Sequence, residues 1–502
     1  METYICTAAQ ARNADHLAIE KYHIPSLVLM EHAAMEILNI LRAQGLSSKN
    51  RIVILCGPGN NGGDGIALAR LLLKEGIVAS VWLPEENKMS HDEKVQWDIL
   101  KQLDHQRLEN VENLQNADWI IDALFGNGLC RPITGFYKDL IEKVNASKAR
   151  ILSVDVPSGI DATTGKVLGC AIQADITVSL GSIKTGLLLN QGKTHGGRVY
   201  GADIGIPSKI QSQYQSGILI NESLARHLLP KRDDHSHKGT FGKALMIGGS
   251  GSMHGAITMA LQACYQSGIG TLTCMIPESI HEIIGQKIEF AMNLMAPETN
   301  GYFDPKSALI LDEVKENYDI LSLGNGMGRQ ESTKALVKSA LCSSACVLLD
   351  ADACWGLQEQ KTLLERKAPV ILTPHLKEMT YLCDKEVSDI LEDPFSVVSD
   401  FCRRYPSCTL VLKSDVTLIG HQQALFVLNQ PNSRLAKGGS GDILCGIITG
   451  LYGQNRNALE AGALGVYIHA QCANIEKDPA SILPQDLIQQ IPDVFKSLRT
   501  NH

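Results

Sequence analysis

The chain has 502 residues, which is too long for one ordinary core, so two or more domains are expected. Lys plus Arg total 46 and Asp plus Glu total 54, and a net charge of −8 without basic blocks argues against a dedicated nucleic-acid binder. Apolar residues make up 44%, no apolar run reaches the roughly 18–20 residues of a membrane span, and the start lacks the basic and apolar regions of a secretory signal, so we expect a cytoplasmic protein without membrane partners.

The first half of the chain alternates short β-branched runs with helix-length amphipathic stretches. Strands are predicted at 51–56, 77–83, 118–124, 151–156 and 175–180, and helices at 62–75 and 90–103. Buried parallel strands form continuous apolar runs joined by helical crossovers, so this pattern predicts a doubly wound α/β sheet. In such a sheet the ligand binds beyond the carboxyl ends of the strands.

A glycine-rich segment, 57–65 (GPGNNGGDG), follows the first of these strands and opens a helix. Its glycines allow backbone amides to approach a ligand, and the helix N-terminus attracts an anion. For the glycines alone, a plain tight turn is an equal alternative. Asn60, Asn61 and Asp64 between them favour a polar ligand.

Two further strands end in a carboxylate followed by a turn, at Asp122 and at Asp155. For either aspartate alone, a structural role as a helix cap or turn residue is the simpler interpretation. Three polar turns at successive strand ends favour one shared site instead. Asn, Asp and Ser oxygens also suit a hard cation.

The chain then passes a junction, 205–240, with two prolines, a Gln/Ser-rich stretch and a charge cluster, after which the α/β pattern restarts. We therefore predict two α/β domains, 1–215 and 225–502. The strands predicted in the second are 243–248, 271–276, 319–323, 346–350, 369–373 and 409–413.

The first half resembles the NAD(P)H-hydrate epimerase domain through LMEHAA, GPGNNGGDG, IIDALFGNG, VDVPSG and IKTGL, in that order. The resemblance implies a Rossmann-like three-layer domain that interconverts the R and S forms of NADH or NADPH hydrated at C6, with Asp155 as acid/base and Lys184 close by. It implies potassium held by Asn61, Asp122 and Ser158. Asn127 stands where threonine is more usual. The implied substrate contacts are Asn60, Asn61, Gly62, Gly63, Asp64, Gly126, Asn127, Gly128, Leu129, Cys130, Arg131, Pro132 and Lys184.

Near the C-terminus, 438–442 (GGSGD) feeds the start of a helix. One interpretation is an N-cap aspartate after a flexible loop. We favour another, in which the free amides of the small residues bind a phosphate and Asp442 takes a proton from a hydroxyl. That is the logic of phosphoryl transfer to an alcohol.

Other segments of the second half place polar groups just past predicted strands: 247–256 (IGGSGSMHGA), 323–328 (LGNGMG), 349–352 (LDAD) and 372–378 (LTPHLKE). Taken singly, His375 could only cap a helix and Glu378 could only face solvent. Together these segments line the edge where an open α/β sheet binds ligands.

Through HKGTFG, DADA, TPHxxE and GGSGD, this half resembles the ADP/ATP-dependent NAD(P)H-hydrate dehydratase of the ribokinase-like superfamily. The resemblance implies phosphorylation of the hydrate hydroxyl and then loss of phosphate, with Asp442 as base and Glu378 helping to place magnesium. Ala256, Gly326 and His375 would touch the hydrate. Asn325 stands where proline is usual. The implied nucleotide contacts are Lys413, Ser414, Asp415, Val416, Thr417, Gly438, Gly439, Ser440 and Gly441.

The tandem looks like the prokaryotic bifunctional repair enzyme, in which the donor is usually ADP and the products are AMP and phosphate. The sequence does not decide between ADP and ATP, and we expect a homo-oligomer. The alternative is a ribokinase-like vitamin or hydroxymethyl kinase whose N-terminal half is a non-catalytic binding module.

Overall fold

The computed structural model describes residues 2–103, 105–111 and 114–500. They fall into two compact units, residues 2–218 and the chain from Leu219 onward. Within the described residues, no helix has both the length and the apolar character that a membrane crossing requires.

The N-terminal unit is built on a seven-stranded parallel sheet of order β4-β3-β2-β5-β6-β7-β9, and β1 pairs separately with β8. Its strands are β1 (Thr3–Cys6), β2 (Ile52–Cys56), β3 (Ala79–Trp82), β4 (Gln106–Arg107), β5 (Trp119–Ala123), β6 (Arg150–Val154), β7 (Ile176–Leu180), β8 (Ile183–Lys184) and β9 (Arg198–Ala202). Every residue of β2 and β5 is buried, which accounts for their continuous apolar runs.

The helices of this unit are α1 (Ala8–Glu20), α2 (Ser26–Ala43), α3 (Asn60–Lys74), α4 (His91–Leu100), α5 (Phe136–Asn145), α6 (Gly192–His195) and α7 (Ser208–Gln211). Capping boxes set the starts of α1, through Thr7 and Gln10, and of α4, through Ser90 and Glu93. The predicted helices 62–75 and 90–103 are confirmed as α3 and α4, although α4 ends at Leu100.

The strand order places a topological switch point between β2 and β5. From β2 the sheet grows outward through β3 and β4, and the chain then returns to β5 on the other side of β2. Ligands of open α/β sheets bind in the crevice at such a point. The glycine-rich segment after β2 and the turn after β5 therefore meet at one edge.

The second unit repeats this plan. A short strand, β10 (Gly217–Leu219), lies at the junction in the sequence. The strands that follow are β11 (Lys243–Ile247), β12 (Thr271–Pro277), β13 (Met292–Ala296), β14 (Glu298–Thr299), β15 (Tyr302–Phe303), β16 (Ile320–Leu323), β17 (Cys346–Leu349), β18 (Val370–Leu372), β19 (Cys408–Leu412), β20 (Val416–His421) and β21 (Ala424–Asn429). The order β13-β12-β11-β16-β17-β18-β19-β20-β21 puts a switch point between β11 and β16.

The helices of the second unit are α8 (Glu222–Leu228), α9 (His254–Gln266), α10 (His281–Lys287), α11 (Ser307–Val314), α12 (Glu331–Leu341), α13 (Asp352–Gly356), α14 (Leu376–Leu382), α15 (Val387–Glu392), α16 (Pro394–Arg404), α17 (Ser440–Asn455), α18 (Ala458–Cys472) and α19 (Pro484–Arg499). Helix α17 packs closely on α9 because Gly446 has no side chain. A Cβ at Gly446 would lie 2.2 Å from the Ala260 carbonyl oxygen and would force the two helices apart.

The eleven predicted strands are confirmed as β2, β3, β5, β6, β7, β11, β12, β16, β17, β18 and β19. The antiparallel strands β20 and β21, which turn about Gln422, were not predicted.

Candidate active sites

A cavity of about 870 Å³ opens at the switch point of the N-terminal unit. Most of the residues that the sequence predicts to contact substrate line it. They are Asn60, Asn61, Asp64, Gly126, Asn127, Gly128, Leu129, Cys130, Arg131, Pro132 and Lys184, joined by Asp155.

Gly62 and Gly63 lie in the first turn of α3 and are buried outside the cavity lining. A side chain at Gly62 would collide with the Gly57 carbonyl oxygen, and one at Gly63 would lie 2.6 Å from the Met30 methyl carbon. In this structure the two glycines let α3 pack closely, and their contact with substrate stays a prediction.

Asp155 is held rigidly at the end of β6. Its φ of +69° is unusual for a residue with a side chain, and such strain clusters at functional sites. Lys184 Nζ lies 2.5 Å from Asp155 Oδ1, and both side chains are buried. The Asn127 amide donates to Asp155 Oδ2 at 3.2 Å, while Lys184 also donates to the Leu180 carbonyl oxygen at 2.6 Å. Asp155 therefore does both: it stabilises the turn by accepting the Asn127 amide, and it lines the cavity.

Among the described residues, four more carboxyl groups line the same cavity, those of Asp15, Asp64, Glu85 and Asp92. Burial, reinforced by the Asp155 and Asp15 charges, raises the pKa of Asp64 well above its ordinary value. Burial also raises the pKa of Asp15 to about 6. Asp15 lies on α1, away from any strand end, and no sequence motif marks it because only the tertiary fold brings it to the cavity.

The three predicted potassium ligands surround the turn after β5. Buried Asp122 accepts from the hydroxyls of Ser153 at 2.7 Å and Ser158 at 2.5 Å. The Phe125 amide donates to Ser158 Oγ at 2.9 Å. Asn61 Oδ1 faces Gly126, and among the described residues the buried Asn61 Nδ2 has no hydrogen-bond partner.

Carboxylate, hydroxyl and amide oxygens are hard ligands, so this donor set fits an alkali cation. Burial raises the pKa of Asp122, and a bound cation would offset that effect by favouring the carboxylate. Occupation by potassium stays a prediction.

In the second unit, Asp442 lies in the first turn of α17, after the N-cap Gly439 with its φ of +93°. Its carboxylate does not cap the helix. Instead, Asn325 Nδ2 donates to Asp442 Oδ1 at 2.7 Å. Burial, helped by the Asp350 charge, raises the pKa of Asp442 to about 6, which suits a group that must accept a proton near neutral pH.

Asp350, at the same edge of the sheet, contacts several of the predicted site residues. Its Oδ1 accepts from Thr373 at 2.7 Å and lies 2.8 Å from Lys413 Nζ. Burial disfavours the Lys413 charge, but Asp350 and Glu378 outweigh it and raise the pKa of Lys413. Lys413 Nζ also lies 3.5 Å from the position that a Cβ at Gly441 would take. The predicted nucleotide residue Lys413 therefore meets the glycine-rich segment beside Asp442.

The remaining nucleotide candidates form two turns. Ser414 Oγ donates to the Val416 carbonyl oxygen at 2.6 Å, and Thr417 Oγ1 donates to the Ser414 carbonyl oxygen at 3.2 Å. At the other turn, buried Ser440 shares a hydrogen bond of 3.1 Å with His469 Nε2. His469 lies on α18, where no sequence motif marked it.

Two of the three predicted hydrate contacts are neighbours in the structure. A Cβ at Gly326 would lie 3.1 Å from the Ala256 Cβ, so these two residues are adjacent. His375 caps α14, its Nδ1 accepting from the Glu378 amide at 3.2 Å. The capping interpretation of His375 is confirmed, and its contact with the hydrate stays a prediction.

Glu378 is the single carboxylate predicted to place magnesium. Its Oε2 accepts from the His375 amide at 2.9 Å and lies 3.9 Å from Lys413 Nζ. Within the described residues there is no group of three or more acidic, His or Cys side chains able to hold a metal. Glu378 fits a magnesium ion that arrives on nucleotide phosphates, because such an ion needs only one or two protein carboxylates.

Comparisons with known proteins agree with this two-site architecture. Residues 26–186 match the family described as YjeF-related protein N-terminus, and residues 244–493 match NAD(P)H-hydrate dehydratase. The bifunctional NAD(P)H-hydrate repair enzyme of Moorella thermoacetica is 34% identical over 99% of this chain and 97% of its own length.

Two solved structures resemble the second unit. A ribokinase-like superfamily protein from Enterococcus faecalis covers 57% of this chain and 97% of its own, with 25% identity and a TM-score of 0.51. An ADP/ATP-dependent NAD(P)H-hydrate dehydratase from Bacillus subtilis, co-crystallised with ATP and Mg²⁺, covers 56% of this chain and 98% of its own, with 28% identity and a TM-score of 0.49.

The fold and the sites define a two-domain α/β enzyme, Rossmann-like in its first half and ribokinase-like in its second. The chain belongs to the family of bifunctional NAD(P)H-hydrate repair enzymes, with an epimerase and a dehydratase domain. The predicted fold class and bifunctional activity are thereby confirmed, and the alternative of a vitamin or hydroxymethyl kinase is not supported.

Proposed function

We propose that the N-terminal cavity interconverts the R and S forms of NAD(P)H hydrate, and that the second site dehydrates the S form with ADP, giving AMP and phosphate. The observation that supports this proposal is a largely buried aspartate at the ligand-binding edge of the sheet in each unit. Asp155 faces the cavity of one unit, and Asp442 stands at the glycine-rich helix start of the other.

Epimerisation breaks and remakes the C6–O bond. Asp155 would pass a proton from its buried partner, the Lys184 ammonium, to the departing hydroxyl, which leaves as water and leaves the pair as carboxylate and neutral amine. Water then adds to the opposite face of the planar C6, and Asp155 takes back the proton. Asp64, which lines the same cavity, would form a hydrogen bond with substrate. No group is consumed, so the cycle closes.

Dehydration joins phosphoryl transfer to elimination. Asp442 would take the proton of the C6 hydroxyl as its oxygen attacks the β-phosphorus of ADP, and AMP leaves. The amides of 438–441 and the Lys413 ammonium would stabilise the charge on the transferring oxygens. The C6–O bond then breaks, the departing phosphate takes the proton that C5 loses, and the C5=C6 double bond is restored.

Asn61, Asp122 and Ser158 would hold the potassium ion, which would supply positive charge to the oxygens around it. Glu378 would face magnesium carried by the nucleotide. We extend the proposal to the domain limits, 1–215 and 225–502, to a homo-oligomer and to a cytoplasmic location.

The test supplies the full chain with ADP and a mixture of the two hydrates, and follows recovery of NADH at 340 nm. The intact protein should convert the whole mixture. Asp155→Asn should rapidly convert the S fraction alone, and Asp442→Asn should convert neither while still exchanging R and S. If either variant lost both activities while folded, the two-site proposal would be wrong.

A further inference from the structure

A fully buried amide lies against the proposed base of the dehydratase site. Asn325 follows β16, and its Nδ2 donates to Asp442 Oδ1 at 2.7 Å. The same nitrogen lies 3.4 Å from Asp350 Oδ2. One amide group thus joins a carboxylate at the start of α17 to a carboxylate after β17.

A hydrogen bond to the Asn325 carbonyl oxygen sets the orientation of this amide. Cys445, one turn beyond Asp442 on α17, donates from Sγ to Asn325 Oδ1 at 3.3 Å. Burial raises the pKa of Cys445 well above its usual value, so the thiol keeps the proton that it donates. A flipped amide would turn its carbonyl oxygen toward two carboxylates, where only repulsion is available. The NH₂ group therefore faces Asp442.

We propose that Asn325 is a positioning residue for dehydration, which fixes the Asp442 carboxylate by a hydrogen bond and holds it in the ionised form that accepts the hydroxyl proton. This inference rests on the proposed function, since it takes Asp442 to be the base.

Several groups act on Asp442 together. Burial is the largest influence, and the Asp350 and Asp352 charges add to it in raising the pKa of Asp442. The Asn325 hydrogen bond and the Lys413 charge act the other way. Because a hydrogen bond to the charged form favours that form, removing the Asn325 donor leaves the carboxylate easier to protonate. As the pH falls, Asp442 is then protonated, and dehydration is lost, at a higher pH than in the unmodified protein.

The experiment measures kcat/KM for the S hydrate between pH 5.5 and 8.5 at saturating ADP in the full-length protein. Asn325→Leu keeps the volume and removes the donor. It should move the acid limb up by about one pH unit, which is about a tenfold loss at pH 5.5, with most of the activity regained at pH 8.5. Cys445→Ala, which frees the amide orientation but keeps the donor, should shift the limb less in the same direction.

Circular dichroism identifies any variant that does not fold, and Asn325→Ala then takes the place of the leucine variant with the same expected shift. An unshifted acid limb, or a loss equal at every pH, would overturn the inference and leave Asn325 a purely structural residue. Asp442→Asn separates this from failure of the proposed function: if that variant still dehydrates, Asp442 is not the base.

Discussion

Replacing Asp442 with asparagine should stabilise the protein while removing dehydratase activity. Burial raises the pKa of Asp442 from 3.8 to about 6. A folded-state pKa above the unfolded value means that stability is fully present below the unfolded pKa and is lost as the pH rises through about 6. At about 1.4 kcal/mol per pH unit, ionising Asp442 at pH 7 costs the folded state at most about 3 kcal/mol.

The neutral asparagine avoids that cost. We expect Asp442→Asn to raise the free energy of unfolding by up to about 3 kcal/mol at pH 7, and by almost nothing at pH 4, where the aspartate itself is protonated. Dehydration should fall by about 10²–10⁴-fold, the usual contribution of a general base.

Denaturant unfolding at both pH values, beside the 340 nm assay, measures the two effects. Asp384→Asn is the matched control: it removes a carboxylate of the same unit whose side chain is 92% exposed, and it should change stability by less than about 0.5 kcal/mol. Equal stabilisation at pH 4 and pH 7 would exclude the raised pKa of Asp442 as its cause, and dehydration at the full rate would exclude Asp442 as the base.

Three further predictions concern single residues. Lys184→Met leaves the buried Asp155 carboxylate without its cation. The free energy of unfolding should therefore fall by about 3–5 kcal/mol, and epimerisation should be lost. Unchanged denaturation curves would contradict this prediction. Ser158→Ala removes one proposed potassium ligand, so titration of epimerase activity with KCl should show a several-fold higher half-maximal concentration, and an unchanged titration would exclude Ser158 as a ligand. Gly439→Ala puts a residue with a side chain at a left-handed φ of +93°, and its Cβ would lie 2.7 Å from Met259 Sδ. The free energy of unfolding should fall by about 1–3 kcal/mol. Dehydration should slow, whereas epimerisation should not.

The parallel strands could be predicted because burial on both faces makes each one a short, continuous apolar run. The hairpin of β20 and β21 was missed for a related reason: Gly420 and His421 interrupt the apolar pattern at its turn. The edge strand β9 has mostly part-exposed residues, so it also lacks such a run.

Some site residues could be predicted from the sequence and others could not. Asp122, Asp155 and Asp442 lie at strand ends or at a helix start, which is where open α/β sheets bind ligands. Asp15 and His469 lie inside helices, and no local pattern separates them from other helical residues. Their neighbours come from distant segments, so only the folded structure reveals them.

We propose that dehydration by this enzyme is driven by phosphoryl transfer from a nucleotide. The decisive measurement is the amount of AMP, phosphate and NADH formed from purified S hydrate and ADP. We predict one AMP and one phosphate for each NADH, and no NADH without nucleotide. Recovery of NADH at an undiminished rate in the absence of any phosphoryl donor would exclude phosphoryl transfer as the driving step.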